Sequence, residues 1–211
     1  MDRTEEWIDI SVPIKTGMVQ YPGEPAYRIQ QERYLGQAMV SNLLIGTHTG
    51  THVDAPLHFF ETGLAIDHLS FDAVVGMARV IEIRDQESIT VHELEEHGIE
   101  AGEILLFKTR NSSFIKSGLF RKDFVYLSTE GARYLAQKKV KTVGIDYLGV
   151  GGFERNETEA HRILLSVPIV IIETLDLSSV RAGVYDFVCV PLRIEGAEAS
   201  PARAIVRPHR G

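Results

Sequence analysis

Residues 46–60, GTHTGTHVDAPLHFF, hold the densest set of groups in this chain that could do chemistry. Three histidines (His48, His52, His58) and one carboxylate (Asp54) lie among them, with Gly50 and Pro56 between. Imidazole and carboxylate are the usual nitrogen and oxygen donors for zinc, manganese or iron. All four sit at even positions, so extended backbone would turn them to one face and Thr49, Thr51, Val53 and Leu57 to the other. A straight strand would leave His48 and His58 about 33 Å apart, too far to share an ion. The chain has to bend, and Gly50 and Pro56 permit it. A helix would pair His48 with His52 at i, i+4, but Thr49-Gly50-Thr51, Val53 and Pro56 disfavour one. We expect a strand ending near His48, a turn at Gly50 and an irregular segment through Asp54. One histidine alone reads as a polar loop residue; three with a carboxylate at this density read as a metal site.

The elements around this segment are those of a mixed α/β chain. Trp7–Val12 alternates as an opening strand, and PIKTGMVQYPGEP (13–25) is a loop with a turn at Tyr21-Pro22-Gly23-Glu24. Tyr27–Tyr34 and Val40–Thr47 read as strands leading into the histidines. Glu61–Phe71 is a loop whose Asp67 and His68 read as surface residues. Arg79–Ile83 and Ile104–Phe107 are β-rich runs, and between them Thr90-Val91-His92-Glu93 is a capping box opening a helix that Gly98 ends. Phe124–Leu127 is a short strand. Ser128 caps a helix through Lys139, and Val143–Asp146 follows as a buried strand, which implies a βαβ crossover. A glycine-rich turn (149–152) precedes a helix opening at Asn156–Glu159 and carrying His161. Ile169–Ile172 is then a buried strand with Glu173 at its end. A carboxylate directly after four apolar residues is costly to bury unless paired or metal-bound; the alternative is that it emerges into solvent. Phe187–Arg193 and Ala202–Val206 close the chain.

Composition narrows the classes. A net charge of −7 and the lack of a basic block argue against nucleic acid. No apolar run approaches the roughly 20 residues of a membrane span, and MDRTEEWIDI is acidic without a signal-peptide core. Cys189 is the single cysteine, so no internal disulfide can form and a reducing cytoplasm is expected. It reads as a buried core residue in FVCVP. There is no repeat, low-complexity linker or visible boundary, so residues 1–211 are expected to form one domain.

The run H-T-G-T-H-V-D-A-P-L-H-F resembles the signature H-x-G-T-H-x-D-x-P-x-H-[FW] of the metal-dependent cyclase-like hydrolases, the family of bacterial kynurenine formamidase and isatin hydrolase. A-H-R-I-L-L around His161, I-I-E-T-L around Glu173 and P-L-R-I-E-G-A-E-A-S-P-A-R-A near the end are also similar, so the likeness spans nearly the whole chain. It implies an α/β fold with a central mixed sheet or barrel-like β core flanked by helices, of the swivelling β/β/α type. It implies a first ion on His48, His52 and Asp54 and a second on Asp54, His161 and Glu173, with Glu173 able to reach both. The ions would be divalent, zinc first and manganese as the alternative, two per subunit. His58 would be the acid/base rather than a ligand. Tyr21, otherwise a loop aromatic folded on the core, would line the substrate pocket where the family has tryptophan in W-P-G-D.

Two adjacent ions bring the pKa of a shared water from about 16 to about 7, so hydroxide exists at neutral pH to attack an amide carbon. An imidazole near pKa 6.5 can then protonate the leaving amine. The expected activity is hydrolysis of a small amide, an aryl formamide such as N-formylkynurenine, with isatin-type lactam opening as the alternative. A homodimer or higher homo-oligomer is implied as well. A non-catalytic, purely structural metal site is the rival from another class. It needs only four ligands and no spare base, and chelation would melt it rather than silence it.

Overall fold

The computed structural model describes residues 6–34 and 38–210; the first five residues of the acidic N-terminal stretch lie outside them. In chain order the elements are β1 (Ile8–Asp9), β2 (Arg28–Tyr34), β3 (Ala38–Leu44), β4 (His52–Asp54), β5 (Val75–Glu82), β6 (Ser88–Ile89), α1 (Val91–Glu95), β7 (Ile104–Lys108), α2 (Ser112–Ile115), β8 (Tyr126–Leu127), α3 (Thr129–Lys138), β9 (Thr142–Ile145), α4 (Glu157–Leu165), β10 (Val170–Glu173), β11 (Gly183–Pro191) and β12 (Ala199–Pro208). Seven strands close into a mixed barrel in the order β12-β11-β5-β7-β9-β10-β4, because β4 pairs with both β10 and β12; β1 adds to the outer part of β12. The central β5, β7, β9 and β10 run parallel, and β9 and β10 are buried along their whole length. Their near-continuous apolar runs are what strands covered on both faces require.

Alternation along the strands sorts the core into layers. Val53, Val80, Leu106, Ile172, Phe187, Cys189 and Ala204 pack together inside the barrel. Their neighbours Ile81, Leu105, Phe107, Val143, Ile145 and Ile171 face outward and are covered by Leu94, Leu135 and Leu164 of the helices. The expected α/β class with a barrel-like core and flanking helices is the observed one. A parallel crossover through α3 was expected and is present, but it joins β7 to β9; the expected first strand, β8, pairs with β6 outside the barrel, and α4 joins β9 to β10. Among the described residues no helix is long and apolar enough to cross a membrane.

Local departures have physical reasons. The opening strand shrinks to two residues, since Ser11 makes only an isolated bridge to Leu175. The second expected strand of the hairpin ends at Leu44 rather than Thr47, because the chain turns at Gly46, whose N–H donates to Thr49 Oγ1 (2.9 Å). Only half of the capping box forms. Thr90 Oγ1 accepts from the Glu93 N–H (3.3 Å), but the Glu93 carboxylate goes to the N–H of Arg84 (2.6 Å) on the preceding loop. Asn156 does not cap α4 with its side chain; its Oδ1 accepts from Gly152 N–H (2.9 Å) and its Nδ2 donates to Leu127 O (3.0 Å). The hairpin β2–β3 forms its own two-stranded sheet outside the barrel. Every side chain of β3 is exposed, Met39 by 56%, Leu43 by 59% and Leu44 by 60%.

Candidate metal centre

The site sits where the barrel closes. The segment expected to be irregular through Asp54 is a regular strand at its end: β4 is held on both edges, with Glu173 opposite His52 and Ile171 opposite Asp54. Gly50 adopts φ +69°, the turn that brings His48 back over the strand. Thr51 Oγ1 anchors the entry, donating to the Thr174 carbonyl (2.5 Å) and accepting from Val12 N–H (2.8 Å). Thr174, just after Glu173, takes φ +60°, a costly conformation for a β-branched residue that this contact and its own N–H bond to Tyr147 O (2.7 Å) hold in place. Val53 points into the barrel, so His52 and Asp54 point out of it, beneath α4.

Six side chains named from the sequence meet here. Asp54 Oδ1 lies 3.1 Å from His48 Nδ1 and 3.4 Å from His52 Nε2, and Asp54 Oδ2 lies 3.8 Å from His161 Nε2. Glu173 Oε2 is 3.5 Å from His52 Nε2, and Glu173 Oε1 is 3.0 Å from His161 Nε2 and accepts from the Val150 N–H at 2.6 Å. The next residue, Gly151, packs against the start of α4, where a Cβ would meet the Glu157 backbone at 2.6 Å. Glu173 does not emerge into solvent; it is buried. His58, on a 3₁₀ turn (Pro56–His58), has its ring 4.3 Å from that of His48 and 5.8 Å from that of His161. Potential ligand atoms of His48, Asp54 and His58 lie within 4.8 Å of one another, as do those of His52, Asp54 and Glu173. Asp54 belongs to both groups.

Protonation follows from the hydrogen bonds. His52 Nδ1 is 2.8 Å from the Gly50 carbonyl and His161 Nδ1 is 2.7 Å from the Glu157 carbonyl, so both donate an Nδ1 proton there and turn Nε2 to the carboxylates, which without an ion favour a second proton on it. Burial disfavours charge on these groups, yet mutual attraction outweighs it. The His161 pKa is raised to about 9 by Glu173, and that of Glu173 is lowered to about 2 by His161. Asp54 is likewise held well below its ordinary value, against burial, chiefly by His52. Burial pushes His58 the other way, below its ordinary value and only partly countered by Asp54. His58 is therefore a neutral imidazole at neutral pH.

The donor set fits a cation. His52 Nε2 and both oxygens of Asp54 are buried without an acceptable hydrogen bond, an arrangement that costs free energy unless a positive centre satisfies it. Histidine nitrogens and carboxylate oxygens are donors that zinc and manganese take.

Tyr21 lies at the edge. Its ring packs against Phe120 (5.6 Å) and Phe153 (5.7 Å), part of an aromatic cluster with Phe124 and Tyr147. This is the folded-back loop aromatic, packed beside the turn at Gly149. Burial, with the Glu157 carboxylate, raises its phenol pKa. Three neighbours escaped the sequence reading. Phe59 stacks on His161 (5.1 Å, 26°) and seals its side of the site; its place beside His58 in H-F-F was the available signal. Glu24 is half-buried in the field of His52 and His48, and burial raises its pKa. Glu198 reaches His48 from the far end of the chain; the family-like segment around it was a signal, but nothing in it pointed to His48.

A closed mixed barrel with a buried histidine–carboxylate cluster on its outer face defines the class, and the comparisons name the family. The model described as "Putative cyclase" matches residues 8–151. Kynurenine formamidase of Bacillus thuringiensis (strain Al Hakam) is 34% identical over 209 residues, covering 98% of this chain and 99% of that protein. A solved potential metal-dependent hydrolase with cyclase activity superposes with a TM-score of 0.87 at 31% identity, covering 98% and 99% of the two chains. Isatin hydrolase A from Ralstonia solanacearum shares the fold, with a TM-score of 0.83 at 21% identity over 95% and 91%. The chain belongs to the cyclase family.

Proposed function

We propose that this protein is a metal-dependent hydrolase that cleaves the C–N bond of a small amide, an aryl formamide such as N-formylkynurenine before a lactam of the isatin type. The observation that carries the reading is the buried convergence of His52 Nε2 with both Asp54 oxygens, unpaired and beside a neutral His58. The kynurenine formamidase relatives and the hydrolase of the same fold support it. In this reading His48, His52 and Asp54 hold one divalent ion and Asp54, His161 and Glu173 a second, zinc before manganese. Such ions supply an electrophile for the carbonyl oxygen and bring the pKa of a coordinated water toward 7.

The chain's own groups do the rest. Nδ1 bonds to backbone carbonyls keep the Nε2 lone pairs of His52 and His161 aimed at the site. His58 takes up the proton released as the nucleophile forms and returns it to the departing nitrogen, which otherwise leaves as a costly amide anion. Phe59 and the loop at 149–152 exclude water from the His161 side. Tyr21 offers its ring to the aryl group. The exposed apolar side chains of β2–β3 support assembly as a homodimer, and the lone buried Cys189 suits a cytoplasmic location.

The test is a substrate panel with zinc- or manganese-loaded protein. Aryl formamides are expected to turn over faster than isatin-type lactams. Turnover of lactams alone would move the assignment to lactam opening, and turnover of neither would overturn the hydrolase reading.

A further inference from the structure

The three ligand histidines are oriented in two different ways. His52 and His161 each give Nδ1 to a backbone carbonyl and turn Nε2 inward. His48 is reversed. Its Nδ1 faces Asp54 Oδ1 at 3.1 Å, and its Nε2 points outward to Glu198 Oε1 at 3.5 Å. Where its neighbours have a carbonyl, His48 has a side-chain carboxylate.

That carboxylate is fixed rather than loose. Glu198 Oε1 accepts from Thr47 Oγ1 at 2.5 Å, and the Glu198 carbonyl accepts from the Ala55 N–H at 2.9 Å, tying it to both sides of β4. A neutral imidazole has one ring proton. If Nδ1 is offered inward, the proton is on Nε2, and a carboxylate is its best acceptor. At 3.5 Å the contact is longer than a hydrogen bond, so it acts through the charge and placement of the carboxylate opposite Nε2.

We propose that Glu198, fixed by Thr47, is a positioning residue of this centre: its carboxylate faces Nε2 of His48, favours the ring proton there and so favours the tautomer that turns Nδ1 toward Asp54. The inference rests on the reading of His48 as a metal ligand. Removing an outer partner of this kind typically weakens metal binding about 10- to 100-fold.

The experiment measures zinc affinity by competition with a chromophoric chelator, on the full chain and its Glu198→Ala, Glu198→Gln and Thr47→Val variants. Glu198→Ala is expected to bind roughly 10- to 100-fold more weakly with unchanged stoichiometry at saturating zinc. Glu198→Gln, which keeps a neutral acceptor, should fall between it and the parent. Melting of the chelator-treated variants should match the parent, which separates positioning from a general structural role. Thr47→Val leaves the carboxylate but frees it, and reads the same device should Glu198→Ala fail to fold. Affinity within about twofold of the parent in both variants overturns the inference, at the scale where no outer partner has been lost. So does loss of an ion at saturation, which would make Glu198 a ligand. A parent that takes up no zinc overturns the reading of the centre itself and this inference with it.

Discussion

His58 and Asp54 are four residues apart, yet their surroundings set opposite protonation behaviour. Asp54 is held ionised by imidazoles, while His58 is held neutral by burial. A neutral imidazole beside the candidate ligands can be a base or one more ligand, and His58→Ala separates the two. As the acid/base, it should keep the metal and lose about 10²- to 10⁴-fold in kcat. The loss should shrink for an ester whose activated phenol leaves without a proton. Metal loss, or equal damage on both substrates, would make His58 a ligand or a structural residue. Tyr21→Ala should mainly raise KM, since contact with an aryl group is made equally in ground and transition states. An effect confined to kcat would contradict that role. The residues now brought together at the site were legible because most are adjacent in sequence. His161 was visible only through the family pattern, and Glu173 through that pattern and its place after four apolar residues, since a helix and a strand bring them in. Glu198 was not visible, because its partner Thr47 lies 151 positions away and is joined to it only by barrel closure.

Secondary structure was most legible where burial is complete. The runs at Ile104, Val143 and Ile169 declare themselves as strands, but the three-residue β4 does not, since its strand character comes from two neighbours rather than from its own sequence. The short α2 was also missed. It is organised by Asp146 at the end of β9, whose buried carboxylate accepts from Thr109 N–H (2.9 Å), Thr109 Oγ1 (2.8 Å), Ser112 N–H (3.1 Å) and Ser112 Oγ (2.7 Å). Burial still raises its pKa above the ordinary carboxylate value. Asp146→Ala strands two buried backbone donors at roughly 1–3 kcal/mol each. It should lower the denaturant midpoint by an amount worth about 3 kcal/mol, with the m-value unchanged. A loss below about 1 kcal/mol, the centre of the range for ordinary point mutations, would show that α2 is not held from β9.

Across the whole molecule, the interior of the barrel and the chemistry on its outer face are separate. Cys189 sits inside, where burial pushes its thiol up to about 12. A raised pKa disfavours thiolate, so iodoacetamide at pH 8 should leave the native chain unlabelled and react only as fast as the barrel opens. Labelling within minutes under native conditions would mean that the barrel is not closed around it. The candidate metal centre on the outer face is a different dependency. The central claim is that the histidine–carboxylate centre makes the chain a metal-dependent amide hydrolase. Its most direct test is aryl-formamide turnover by chelator-stripped protein, before and after zinc or manganese is returned, with Asp54→Ala alongside. Turnover should vanish on stripping and return with the ion, while the folded parent survives the treatment and Asp54→Ala recovers nothing. Undiminished turnover in the stripped protein, or full recovery in Asp54→Ala, would contradict it.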